Sequence, residues 1–237
     1  MIAVIDYGAG NLRNVCKSLE HVGANILLTD KSSEIEQAEK VVLPGVGAFA
    51  DCWQGLQKRD LLEPLMDFAQ SGRPFLGICV GMQLLFDAGL EMGEWPGLGL
   101  IPGKVVKFKW ADAEREAMGV KRRAMESQGS GSEHLAPQLG SQDLALRALP
   151  VPHIGWNQIE AAQLSHPIMR DIQPGGYAYF VHSFHADQMQ AAHIIATTHY
   201  GYDFPAVVAR DNVWGIQFHP EKSQDVGLQM LKNFIQI

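Results

Sequence analysis

The sequence predicts an α/β fold: an open, mostly parallel central sheet with helices on both faces and a partly antiparallel C-terminal half. Three observations carry that expectation. Short, continuous apolar runs such as Ile2-Ala3-Val4-Ile5 and Val41-Val42-Leu43 suit strands buried on both sides, as parallel strands are. Segments of helical periodicity alternate with these runs through the first half. In the second half strand-like runs follow one another directly, several joined by tight turns such as Arg210-Asp211-Asn212.

Taken in order, a first strand over residues 2–6 turns through Tyr7-Gly8-Ala9-Gly10-Asn11 into a helix over 12–22, with Leu12, Val15, Leu19 and Val22 on one face. The Gly8-x-Gly10 pair lacks the third glycine of a dinucleotide fingerprint, since Arg13 stands there, and is read as turn chemistry. Strands are expected at 25–28 and 40–43, and helices at 50–57 and 61–70 with Gly72 as a stop. A further strand ends at Cys79 and leads into a helical run over 82–86. Residues 98–102 and 104–108 read as short strands. From about 111 to 149 the chain becomes charged and then linker-like, with Ser127-Gln128-Gly129-Ser130-Gly131-Ser132, and is expected to be a mobile insertion in one domain spanning 1–237. Strands resume at 153–159, 177–184, 193–200, 205–210 and 213–218. A last helix over 224–235 buries Val226, Met230, Leu231 and Phe234.

Composition excludes several classes. At 237 residues, 46% hydrophobic and 19% charged, the chain is ordinary for a soluble globular protein. A net charge of -7 offers nucleic acid or an anionic membrane no electrostatic attraction. Three cysteines make no disulfide framework, no apolar run reaches membrane-spanning length, and no secretion signal is visible; a cytoplasmic location is expected.

Chemistry concentrates in two places. Gly77-Ile78-Cys79-Val80-Gly81 at a strand-to-helix junction is the thiol form of a nucleophile elbow. The bend forces strain on Cys79, the flanking glycines make room, and the sulfur points out at the positive end of the next helix, where a thiolate is favoured. Gly215-Ile216-Gln217-Phe218-His219-Pro220-Glu221 puts His219 and Glu221 on one face of an extended segment, with Pro220 fixing the spacing. Cysteine, histidine and carboxylate supply nucleophile, base and orienter. The Val80 N–H is a candidate oxyanion donor, and a second is expected from Pro44-Gly45-Val46-Gly47.

Pro-Gly-Val-Gly at 44–47, Gly-Ile-Cys-Val-Gly-Met-Gln at 77–83 and Gln-Phe-His-Pro-Glu-Lys-Ser at 217–223 resemble the class I (triad) glutamine amidotransferases, a flavodoxin-like fold. Asp6–Arg13, Pro152–Asn157 and Tyr179–Ser183 resemble the glutaminase subunits of imidazole glycerol phosphate synthases in particular. The resemblance implies hydrolysis of L-glutamine through a thioester on Cys79, with His219 as base and acid and Glu221 orienting it. It implies that Gly47 and Gln83 hold the glutamine, that Glu91 receives its α-amino group and the Ser183–Phe184 backbone its carboxylate. It further implies that the Gly45–Val46 peptide turns to add the Val46 N–H to the oxyanion hole. No cofactor or metal is implied. The implied partner is a (β/α)8-barrel synthase, faced by Asn11, Asn14 and Trp156, which consumes the ammonia. A partner is also reasonable on other grounds, because this chain has no P-loop and no second domain to use ammonia. The 111–149 insertion departs from the family pattern, as does Val80 where a leucine is usual. A paralogue serving surface-polysaccharide assembly and a γ-glutamyl hydrolase on the same scaffold are the rival readings.

Overall fold

The computed structural model describes residues 1–110 and 149–237. All but Leu149 of the expected insertion lies outside the described residues. Its two flanks meet: the Trp110 indole N–H donates to the Leu149 carbonyl at 3.1 Å.

The first half alternates as its apolar runs require. It consists of β1 (Ile2–Ile5), α1 (Leu12–His21), β2 (Ile26–Thr29), α2 (Ser32–Gln37), β3 (Lys40–Gly45), α3 (Phe49–Lys58), α4 (Leu62–Gln70), β4 (Phe75–Cys79) and α5 (Val80–Gln83). Short strands β5 (Ala88–Gly89), β6 (Trp95–Pro96) and β7 (Lys104–Lys107) follow. The second half holds β8 (His153–Gln158), β9 (Glu160–Ala161), β10 (Tyr177–His182), β11 (Phe184–Asp187), β12 (Ile194–Tyr200), β13 (Tyr202–Arg210), β14 (Val213–Ile216) and α6 (Gln224–Gln236).

The main sheet has eight strands in the order β2-β1-β3-β4-β14-β13-β12-β9. The strands from β2 to β14 are parallel to their neighbours, and β13, β12 and β9 continue the sheet antiparallel. Every residue of β1, β4 and β14 is buried, which is why those runs carry no polar alternation. Helix α1 packs on α6 and α2 on α4. An antiparallel β8–β10 ribbon and a four-stranded sheet β11-β7-β5-β6 stand beside the main sheet. No helix among the described residues is long and apolar enough to cross a membrane.

Three local expectations are corrected. The helix expected over 82–86 is a single turn, and 98–102 is not a strand. One cause accounts for both: the amides of Leu98, Gly99, Leu100 and Ile101 take the carbonyls of Leu84, Phe86 and Leu85, so this segment replaces the next helical turn. The strand expected through 184 breaks at Ser183, where the chain leaves the β8 ribbon as β10 and pairs with β7 as β11. Helix α2 was not anticipated, its six residues burying only Ile35. In α6, Met230, Leu231 and Phe234 are buried, and Val226 is half-buried.

Candidate active site

The turn at Cys79 is shaped by close approach. Its backbone sits at φ 56° and ψ -113°, a region L-residues avoid at a cost of order 1–3 kcal/mol. A Cβ on Gly77 would lie 2.5 Å from the Gly81 carbonyl oxygen, and one on Gly81 only 1.8 Å from that of Leu43. Only glycine fits either place. The strand register sets Gly45 beside Cys79, which brings the end of β3 against the elbow. Because α5 is one turn long, its dipole is a small influence on the sulfur; the nearby charges matter more.

Those charges come from the end of the neighbouring strand, β14, which pairs with β4. Strand β14 stops at Ile216, and Pro220 opens a 3-10 turn over Pro220–Lys222. The pairing of His219 with Glu221 arises from this turn and not from the strand alternation expected, with His219 Nδ1 and Glu221 Oε1 2.9 Å apart. The corner is locked twice: the Ser223 hydroxyl donates to the His219 carbonyl at 2.6 Å and accepts from the Tyr179 N–H at 2.9 Å. With Nδ1 turned to the carboxylate, Nε2 is the nitrogen left to face the Cys79 sulfur, whose charge bears on the imidazole. Burial opposes a charge on His219, but the hydrogen bonds and negative charges of Cys79 and Glu221 outweigh it and push its pKa up to about 10. Burial likewise works against the Glu221 carboxylate, and its hydrogen bond and attraction to His219 prevail, leaving its pKa lowered.

Asn11, expected to face a partner, is half-buried and also touches the triad. The Asn11 side-chain amide donates to Glu221 Oε1 at 3.0 Å, the same oxygen that meets His219, and its own carbonyl oxygen accepts from Asn14 Nδ2 at 2.9 Å. Asn11 occupies the cap position of α1 yet makes no cap hydrogen bond. That choice of an acid 210 positions away over the adjacent helix has no local signature in the sequence. Asn14 and Trp156 are exposed at the surface.

The other predicted residues have contacts of their own. Gln83 is buried, and its Nε2 donates to the Phe184 carbonyl at 3.0 Å and to Gln217 Oε1 at 3.2 Å. Glu91 Oε2 accepts the Phe49 N–H at 2.7 Å, tying the start of α3 to the loop after the elbow. Gly47 has φ 91°, and with Val46 it is exposed, whereas Val80 is buried. Two side chains not singled out from the sequence grip the segment before Gly47. The Tyr7 hydroxyl donates to the Pro44 carbonyl at 2.6 Å, and the Cys52 thiol to that of Val46 at 3.4 Å. Burial pushes Cys52 up to about 11, so it stays a protonated donor. Among the described residues no group of His, Cys, Asp and Glu side chains is arranged to hold a metal ion.

Similarity to known proteins agrees with this geometry. The family model for glutamine amidotransferase class-I matches residues 3–237. An imidazole glycerol phosphate synthase subunit HisH from Salinibacter ruber is 45% identical over 234 residues, covering 99% of this chain and 93% of the relative. The subunit of the same name from Syntrophotalea carbinolica is also 45% identical, covering 99% and 98%. In fold, a crystal structure titled as a glutamine amidotransferase superposes with a TM-score of 0.64 at 16% identity, covering 99% of both chains. A chain of the PurLQS structure from Thermotoga maritima gives 0.62 at 17%, covering 99% of this chain and 95% of that one.

Proposed function

The chain belongs to the class-I glutamine amidotransferase family, and on that premise we propose that it is the glutaminase subunit of an imidazole glycerol phosphate synthase. It hydrolyses L-glutamine to glutamate and ammonia and hands the ammonia to a separate (β/α)8-barrel subunit in histidine biosynthesis, as a cytoplasmic heterodimer. The observation that carries the reading is the triad: a strained Cys79 whose charge bears on His219, and a Glu221 that holds that histidine at 2.9 Å.

In this mechanism the Cys79 sulfur, paired with the His219 imidazolium, attacks the side-chain amide carbon of glutamine. The Val80 and Val46 N–H groups meet the oxyanion. His219 gives its proton to the departing nitrogen, so ammonia leaves and a thioester remains on Cys79. The now neutral imidazole takes a proton from water, whose oxygen attacks the thioester. Glutamate departs and Cys79 and His219 return to their starting state. Glu221 fixes the tautomer and steadies the imidazolium. Gly47 and Gln83 border the bound glutamine, the free oxygen of Glu91 faces its α-amino group, and the Ser183–Phe184 backbone its carboxylate.

The partner surface is read from the β8–β10 ribbon. Its outward side carries Ile154, 58% exposed, with Trp156 and Tyr177 also exposed, and Trp156 meets Tyr179 edge-on at 5.9 Å. A cluster of large apolar side chains on one side of a two-stranded ribbon is an interface composition.

The test is glutamate release by the purified chain with and without a co-expressed barrel subunit. Release stimulated by that subunit and abolished in Cys79→Ala supports the reading. Vigorous release indifferent to any partner would favour a free-standing γ-glutamyl hydrolase.

A further inference from the structure

The inward side of the same ribbon carries something the mechanism does not use. His153 and His182 face one another in the ladder, and both are buried. Their rings are linked, His153 Nδ1 to His182 Nε2, at 3.1 Å. His182 Nδ1 lies 2.8 Å from the Phe184 carbonyl, and His153 Nε2 3.2 Å from Asn157 Nδ2. These contacts fix every proton. A carbonyl can only accept, so Nδ1 of His182 carries hydrogen and its Nε2 is the acceptor. His153 must then donate from Nδ1 and accept at Nε2 from the Asn157 amide, whose nitrogen also donates to the His199 carbonyl at 2.9 Å. The result is a one-way chain, Asn157 to His153 to His182 to the oxygen of Phe184.

Aromatic rings enclose this chain. His153 stacks on Tyr200 at 4.0 Å and on Phe180 at 4.9 Å, and Phe108 lies 5.3 Å from His182. Burial holds both imidazoles neutral, His153 at about 4 and His182 at about 3. A second proton on His182 would set two N–H groups against each other and oppose the nearby charge of His219.

The chain ends on the backbone break between β10 and β11. There the Phe184 oxygen receives two donors, His182 and Gln83. The preceding peptide is held as well, because the Ser183 carbonyl accepts from the Phe108 N–H at 3.3 Å. In a trans peptide the Phe184 N–H points opposite to that carbonyl. Two successive peptide planes are therefore pinned, with the Phe184 N–H turned away from Phe108.

We propose that His182, backed by His153, is a positioning residue for glutamine: its Nδ1–H holds the Ser183–Phe184 backbone in the one orientation that receives the α-carboxylate. This rests on the glutaminase reading above. The histidines do no proton transfer; they set affinity for the substrate.

The experiment compares wild type, His182→Phe and His182→Asn, each with the barrel subunit bound. Phenylalanine keeps ring volume but cannot donate, whereas asparagine can still reach the Phe184 carbonyl. His182→Phe should raise KM for glutamine about tenfold, with kcat changed less than about threefold, and His182→Asn should recover most of the loss. Two reagents sharpen the test by mass analysis of the Cys79 peptide. A chloroketone analogue of glutamine, which carries an α-carboxylate, should label His182→Phe about tenfold more slowly, while iodoacetamide, which has none, labels it at the wild-type rate. An unmoved KM, or equal slowing with both reagents, overturns the proposal. Should His182→Phe not accumulate folded, His153→Leu takes its place, and an unchanged KM there overturns it equally. Wild type that turns over no glutamine with its partner would overturn the glutaminase reading itself, a result distinct from active wild type with an indifferent variant.

Discussion

His219 at the corner after β14 and His182 on the ribbon are almost equally buried, 3% and 6% exposed, yet they end in opposite charge states. Burial pulls both toward neutrality. At His219 a carboxylate and a sulfur answer the positive charge; at His182 a carbonyl oxygen and a second imidazole do not. Neighbours, and not depth, decide which histidine can exchange protons at neutral pH. On the proposed mechanism the same side-chain type serves as acid–base catalyst at the corner and as a fixed hydrogen-bond strut on the ribbon.

The sharpest way to break the contrast is to remove the charge from the catalytic corner. Glu221→Gln should cut kcat for glutaminase by on the order of 10^3- to 10^4-fold, as loss of the orienting carboxylate does in other triads. By NMR, the His219 pKa should fall from about 10 toward the ordinary range. Near-normal turnover in this variant would mean that Cys79 is activated by some other group.

Next in size are two opposite arms of stability against pH, read by urea unfolding. For the ribbon pair, the folded values of about 4 and 3 lie below the unfolded value of about 6.5. Their contribution is complete above about 6.5 and is lost as pH falls from there toward the folded values. For His219 the folded value of about 10 lies above the unfolded one, so its contribution is complete below about 6.5 and fades as pH rises to about 10. Each arm is worth a few kcal/mol at most, since the unfolded chain and solvent screening reduce both. Glu221→Gln should flatten the alkaline arm and leave the ribbon's part of the acid arm in place.

The smallest effect probes how far the corner depends on its supports. Asn11→Ala removes a hydrogen bond to an ionised group and should lower kcat about tenfold with little change in KM. A change confined to partner affinity would instead make Asn11 a surface contact only.

Local signals explain what was legible in the sequence. Apolar continuity marked β1 and β3 as interior strands, and the glycine spacing marked the elbow, because both follow from crowding within a few residues. The proximity of His219 and Glu221 was also readable, though through the wrong geometry: Pro220 starts a turn and does not extend a strand. What escaped is all long-range. The Asn11–Glu221 bond spans 210 positions, and the His153–His182 pair needs the ribbon register before the rings can be seen to meet. The shortness of α5 likewise depends on amides at 98–101 competing for its carbonyls. Periodicity carries no trace of such competition.

The burial of Cys79 also governs how the enzyme ages. With Cys79 only 3% exposed, its sulfur is sheltered from peroxide while the molecule is idle. Any motion that admits a substrate as large as glutamine opens the same path to a small oxidant, and a sulfur paired with imidazolium is the form that oxidises. Wear should therefore accumulate per catalytic cycle and not per hour, so that a resting stock of the protein keeps while a working one slowly burns out.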